Sequence, residues 1–145
     1  MNNMKYVTLL ILLFMALLFD IRSYKVPNVL ILIGYGIGAI CLCIQHGTAG
    51  ILISLISIAI VWLIFSPFFI TRCLGGGDCK LLAWIPLFLR YEWILECYFL
   101  IFACAGMVGI ISFAITKKRR FRFSIAAFLG VIFLYMIKGV GLFIE

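Results

Sequence analysis

The sequence predicts an all-α membrane protein, with six transmembrane helices in one bundle, both termini outside, and a single domain over residues 1–145. Three observations predict it. Of the 145 residues, 67% are hydrophobic and only 12% are charged, and the mean hydropathy is +1.31. Apolar segments of helical length recur along the chain, separated by short polar stretches. The basic residues gather in those stretches and favour alternate ones, as topology signals do. A soluble domain is closer to half apolar, and the charges here are too few to coat a soluble particle.

Composition also excludes function classes. A net charge of +7 would suggest nucleic acid in a soluble protein. Here it encodes topology, and no nucleic-acid partner is expected. The six cysteines include no C-x-x-C pair, and the single His46 has no ligand partner nearby, so no metal and no cofactor is expected. Cys79 has no flanking histidine to activate it as a nucleophile.

Taken in order, the first helix spans residues 4–25 and is ended by Pro27. Lys5 before an apolar core imitates a signal peptide. No small-x-small cleavage site follows in Phe19-Asp20-Ile21-Arg22-Ser23, so the segment reads as a retained helix. The second helix spans residues 28–44, and Gly34 and Gly38 have the G-x-x-x-G spacing that lets helices pack closely. A turn follows over residues 46–50, and the third helix spans residues 51–70 with Pro67 near its end. The fourth, residues 78–89, covers only ~18 Å against a hydrocarbon core of ~30 Å, with Pro86 expected to kink it. The fifth spans residues 93–116, with Glu92 and Glu96 on a wet outer face. The sixth spans residues 123–143, and Lys138 is expected to snorkel outward.

Alternate loops set the orientation. Arg22, Lys25, Arg72, Lys80, Lys117, Lys118, Arg119, Arg120 and Arg122 lie on one side, and Lys5, Arg90 and Lys138 on the other. Nine against three places the first side in the cytoplasm.

Two acids stand out in this apolar chain. Asp20 closes the first helix, and Asp78 follows Gly75, Gly76 and Gly77 at the start of the fourth. An ionisable residue at membrane depth marks a functional site by default. Counting rise from the outer anchors puts Asp78 ~17 Å and Asp20 ~21 Å below the outer interface, so the carboxylates share a depth in the cytoplasmic half. The glycines are expected to supply non-helical backbone beside Asp78 and to let another chain approach. The helix dipole favours a carboxylate at Asp78. Two carboxylates in contact share a proton and act as one unit. One takes a proton from an attacking water, while the other hydrogen-bonds the carbonyl and helps protonate the leaving amine. The alternative from another class is a small ion- or proton-coupled transporter subunit, since paired intramembrane acids and a broken helix also suit a cation site.

These two stretches resemble the type IV prepilin and preflagellin peptidases, the GxGD-type aspartic proteases of the membrane. Gly75-Gly76-Gly77-Asp78-Cys79-Lys80-Leu81-Leu82-Ala83 is similar to the family's G-x-G-D-x-K-L-L-A, and Asp20 with Val26, Pro27 and Asn28 is similar to its first-aspartate segment. The resemblance implies that Asp20 and Asp78 are catalytic, supported by the motif residues Gly75, Gly77, Lys80, Pro27 and Asn28. It implies a prepilin-like substrate with a basic leader and an apolar helix, cut at the cytoplasmic face of the cytoplasmic membrane, with a pilus or secretion machinery as a further partner. Larger relatives carry paired C-x-x-C zinc motifs ahead of the first helix, tied to N-methylation. This chain is similar to the short, peptidase-only form of tight-adherence (Flp) pilus systems. The family often has prolines before its last helix; residues 122–130 have none, and no functional residue is carried over there.

Overall fold

The computed structural model describes residues 2–23, 26–71, 74–116 and 123–144. They form six helices: α1 (Asn2–Ser23), α2 (Asn28–His46), α3 (Ala49–Ile70), α4 (Gly76–Phe88), α5 (Tyr91–Thr116) and α6 (Phe123–Ile144). Of the basic residues counted for orientation, Lys25, Arg72, Lys117, Lys118, Arg119, Arg120 and Arg122 lie outside the described residues.

The breaks follow local chemistry. Pro27 has extended backbone, and its carbonyl accepts the Leu30 and Ile31 amides at 3.1 and 3.3 Å, which starts α2. Gly47 sits at φ 63°, where side chains other than glycine are strained, and this turn separates α2 from α3. Pro67 lies inside α3 and Pro86 inside α4.

Each outer helix buries one stripe. On α1 the buried positions include Leu9, Leu13 and Ala16; on α5 they include Cys97, Ile101 and Cys104. These spacings of three and four residues trace one helical face. The opposite faces carry exposed Leu63, Leu95, Phe99 and Ile115. So much exposed apolar surface is unlike a soluble monomer and suits lipid. Four helices are long and apolar enough to cross a membrane, at Met4–Ser23, Asn28–His46, Ala49–Ile70 and Tyr91–Ile115, and α6 is apolar over Phe123–Gly139.

The short α4 differs. Leu81, Leu82, Ala83, Trp84, Ile85, Pro86, Leu87 and Phe88 are all buried, so it is apolar on every side. Among the described residues it is the one helix that packs against all five others. The glycine spacing of α2 makes room for it. A Cβ at Gly34 would fall inside the Trp84 indole, and one at Gly38 would stand 2.7 Å from Leu87 Cβ. Gly36, between them, faces open space.

One expectation about charges changes in detail. Lys138 does not simply extend outward; its Nζ pairs with Glu96 Oε2 at 2.6 Å and ties α6 to α5. Glu92 stays exposed beside Arg90, 3.3 Å away.

The glycine packing predicts a stability difference. Gly34→Ala is expected to cost on the order of 1–3 kcal/mol, because Trp84 must move. Gly36→Ala is expected to stay within about 0.5 kcal/mol of wild type. Unfolding by SDS titration in micelles measures both. Equal stability of the two variants would contradict this packing.

Candidate active site

The two acids are placed by different means. Asp20 is half-buried in the last turn of α1. Its Oδ2 accepts a hydrogen bond from the hydroxyl of Ser124, a buried residue in the first turn of α6. Asp78 is the third residue of α4 and is also half-buried. Its Oδ2 accepts the Gly75 amide at 3.2 Å, while the Gly75 carbonyl accepts the Asp78 and Cys79 amides at 3.0 and 3.1 Å. The Asp78 carboxylate thus closes the first turn of its own helix, as the acid of a capping box does. Asp78 therefore lies at the N-terminus of its own helix, where free amides favour negative charge, whereas Asp20 is held by a hydroxyl in the first turn of α6.

The structure brings Asp20 and Asp78 to the same end of the bundle, close enough for the charge of Asp20 to act on Asp78. Both α1 and α6 pack against α4. Among the described residues no group of three or more His, Cys, Asp or Glu side chains gathers to hold a metal ion. What the arrangement offers is a pair of carboxylates in a mostly apolar setting. Such a pair can hold and pass a proton.

The glycine run behaves otherwise than expected. Gly76 and Gly77 are helical, and Gly75 has an ordinary extended backbone at φ −71° and ψ 151°, so no glycine-only conformation is used beside Asp78. The constraint is space. A Cβ on Gly75 would stand 2.9 Å from Asp78 Oδ2, and one on Gly76 would press on Phe69 at 3.2 Å. At Gly77 a Cβ would meet nothing, and the structure gives no reason for a glycine there.

The remaining motif residues meet across α2 and α4. Lys80 Nζ donates to Asn28 Oδ1 at 3.0 Å, although the two lie 52 positions apart in the chain. Tyr35 of α2 donates its hydroxyl to the Lys80 carbonyl at 3.0 Å. Pro27 stands just ahead, starting the helix that carries Asn28 and Tyr35. Pro27, Asn28 and Lys80 thus form a clamp holding the start of α2 to the start of α4. Lys80 pairs with neither aspartate among the described contacts.

Two residues of this site were not singled out from the sequence. Ser124 lay in the stretch where the family pattern lapses. The available signal was its place, a small hydroxyl residue opening an apolar helix after a basic run. Tyr35 sits between Gly34 and Gly36, and nothing in that pattern marks its hydroxyl.

Comparison with known families supplies the class. The profile of the type IV leader peptidase family matches residues 7–113, well over half of the chain and both aspartate segments. The chain belongs to the type IV leader peptidase family. With its apolar helices, it is a multi-pass membrane peptidase, and the ion-coupled transporter reading is not favoured. Neither the comparison with curated proteins nor that with solved structures found a match.

The clamp predicts coupling. A double-mutant cycle with Lys80→Met and Asn28→Ala, read as stability in micelles, is expected to give an interaction of about 0.5–1.5 kcal/mol. Strictly additive effects would remove the clamp.

Proposed function

We propose that the chain is an aspartic endopeptidase of the cytoplasmic membrane, which removes the leader peptide of type IV prepilin-like proteins at the cytoplasmic face. The observation that carries this reading is that the two carboxylates share one end of the bundle, Asp78 in the first turn of α4 and Asp20 bound by Ser124 of the first turn of α6. The pair acts as a unit that shares one proton. Its ionised member takes a proton from water as the water oxygen attacks the scissile carbonyl carbon. The protonated member hydrogen-bonds the carbonyl oxygen. As the C–N bond breaks, a proton passes to the departing amine. Ser124 holds the Asp20 carboxylate in place, and the Gly75 amide holds that of Asp78.

The five outer helices are taken to span the membrane, with the short α4 completing its crossing inside the bundle, both termini outside and the aspartates toward the cytoplasm. This follows from the charge asymmetry of the loops. The substrate has a basic leader and an apolar helix, and cleavage falls between them. The reaction uses side chains and water alone, with no cofactor. A pilus or secretion assembly would receive the product.

The test is leader cleavage, followed as a size shift after co-expression with a prepilin from the same genome. Asp20→Asn and Asp78→Asn keep side-chain shape but remove the titratable proton, and each is expected to abolish the shift at normal expression levels. Wild-type cleavage by either variant would overturn the dyad. In the same assay Ser124→Ala is expected to slow cleavage by about tenfold, the scale of one hydrogen bond to a charged group. An unchanged rate would deny Ser124 its positioning role.

A further inference from the structure

At the end of the bundle away from the aspartates, α1 begins, α2 ends and α4 passes into α5 around a cavity of about 470 Å³. In the proposed topology this is the outer end. Lys5 lines the cavity, ~22 Å of helix before Asp20. A lysine near a membrane surface ordinarily turns its ammonium outward. Lys5 instead continues the inner stripe of α1, one turn before Leu9, and is 8% exposed, while its neighbours Met4 and Val7 are exposed. Its ammonium has no ion pair or hydrogen bond among the described contacts. The Cys41 thiol is near enough to feel its charge, but a thiol is a weak acceptor. An ammonium set into protein in this way is costly unless water or an anion meets it.

The rest of the lining favours one kind of anion. Arg90 stands at the rim, exposed, with its Cζ 5.5 Å from the centroid of the Trp93 ring. One of its nitrogens pairs with Glu92 at 3.3 Å. A guanidinium has several donors, so this pair leaves others for a second oxyanion. Lys5, Arg90 and Glu92 leave one positive charge in excess, with His46 neutral. A phosphodiester carries one negative charge. Leu42, Phe88 and Leu89 form an apolar part of the wall. Beside the cavity Tyr6 packs on Trp93 and Tyr135, with ring centroids 5.6 and 5.2 Å apart. Tyr and Trp gather at headgroup level in membrane proteins. A cationic recess with an apolar wall at that level suits a phosphate attached to hydrocarbon, whereas free phosphate gains nothing from the apolar wall.

We propose that this cavity binds the phosphate of a membrane phospholipid, with the Lys5 ammonium and the Arg90 guanidinium on its oxygens. The site stands apart from the carboxylates, whatever reaction they perform. Lys5 belongs to α1 and Arg90 directly precedes α5, two helices with no close backbone approach among the described residues. A phosphate held by both ties the start of α1 to the start of α5 across the end of α4. Inorganic phosphate is the other source of the same chemistry, and it would use the charges alone.

The test titrates the full chain, in a neutral sugar detergent, with a fluorescent phosphatidylglycerol. Saturable binding by the wild type is expected. Lys5→Met and Arg90→Gln are each expected to weaken it by about tenfold or more, the scale of one hydrogen bond to a charged group. Arg22→Gln removes one charge at the opposite end of α1 and is expected to leave the affinity unchanged. Diacylglycerol, with the same chains and no phosphate, is expected not to compete. Stability is read separately, by SDS titration without lipid. Lys5→Met is expected to match or exceed the wild type there, because it removes an unpaired buried charge. A loss of stability in Lys5→Met together with wild-type binding by Arg90→Gln would make Lys5 a structural residue and overturn the site. So would no saturable binding by the wild type, wild-type affinity in Lys5→Met, an equal loss in Arg22→Gln, or equal competition by diacylglycerol. Inorganic phosphate at the lipid's concentration is expected not to displace it. Displacement would keep the phosphate site and overturn the lipid as its occupant.

Discussion

The structure depends on the burial of one short helix. At 13 residues α4 is about 20 Å long, too short for a ~30 Å hydrocarbon core, and it survives because other protein surrounds it. Its contact with α2 is close. Trp84 and Leu87 occupy the space left by the missing side chains of Gly34 and Gly38. Bulk on either glycine would lift α4 from α2. It would also shift the Lys80–Asn28 hydrogen bond and the start of α4 where Asp78 sits. The start of the helix bears on chemistry: its buried run gives way there to a half-buried first turn that carries Asp78.

Electrostatics explains how two half-buried acids are held there. An isolated carboxylate in an apolar setting is costly, and a carboxylate at a helix N-terminus with an amide or hydroxyl donor is less so. Asp78 has the Gly75 amide of its own helix, and Asp20 has Ser124 of a helix that follows it by a hundred residues. The lysine of the motif serves elsewhere. Lys80 binds Asn28, so its charge reaches the aspartates only through space, and its structural work is to fix the angle between α2 and α4. The two motif segments are thus bound to each other physically and not merely placed at one depth.

Much of this was legible in the sequence, for identifiable reasons. Helix order followed from hydropathy and from Pro27 and Gly47, because in an apolar chain the polar and backbone-breaking residues mark the ends. Counting rise anticipated that the two acids share one end of the bundle. Boundaries moved by a few residues: α2 continues through His46, α5 starts at Tyr91, and α4 takes in Gly76 and Gly77. That last shift changes the meaning of the glycine run from freedom of backbone to absence of a side chain, which spacing cannot distinguish. Ser124, Tyr35 and the Lys138–Glu96 pair were not legible, because each acts across helices distant in the chain. Which faces of α1, α5 and α6 meet cannot be read from stripes so weakly set off by polar residues.

The central claim is that Asp20 and Asp78 stand together as one pair at the start of α4. Chemical cross-linking tests it most directly. Asp20→Cys and Asp78→Cys are combined in a chain whose native cysteines are replaced by alanine, and the membranes are treated with a short, rigid bis-maleimide, whose two ends each alkylate one thiol. Intact mass then counts linkers per chain. The account predicts a single linker bridging the two positions in the double variant, and hydrolysed, one-ended linkers in either single variant. Two one-ended linkers on the double variant, with no bridged species whether or not the precursor is present, would contradict it.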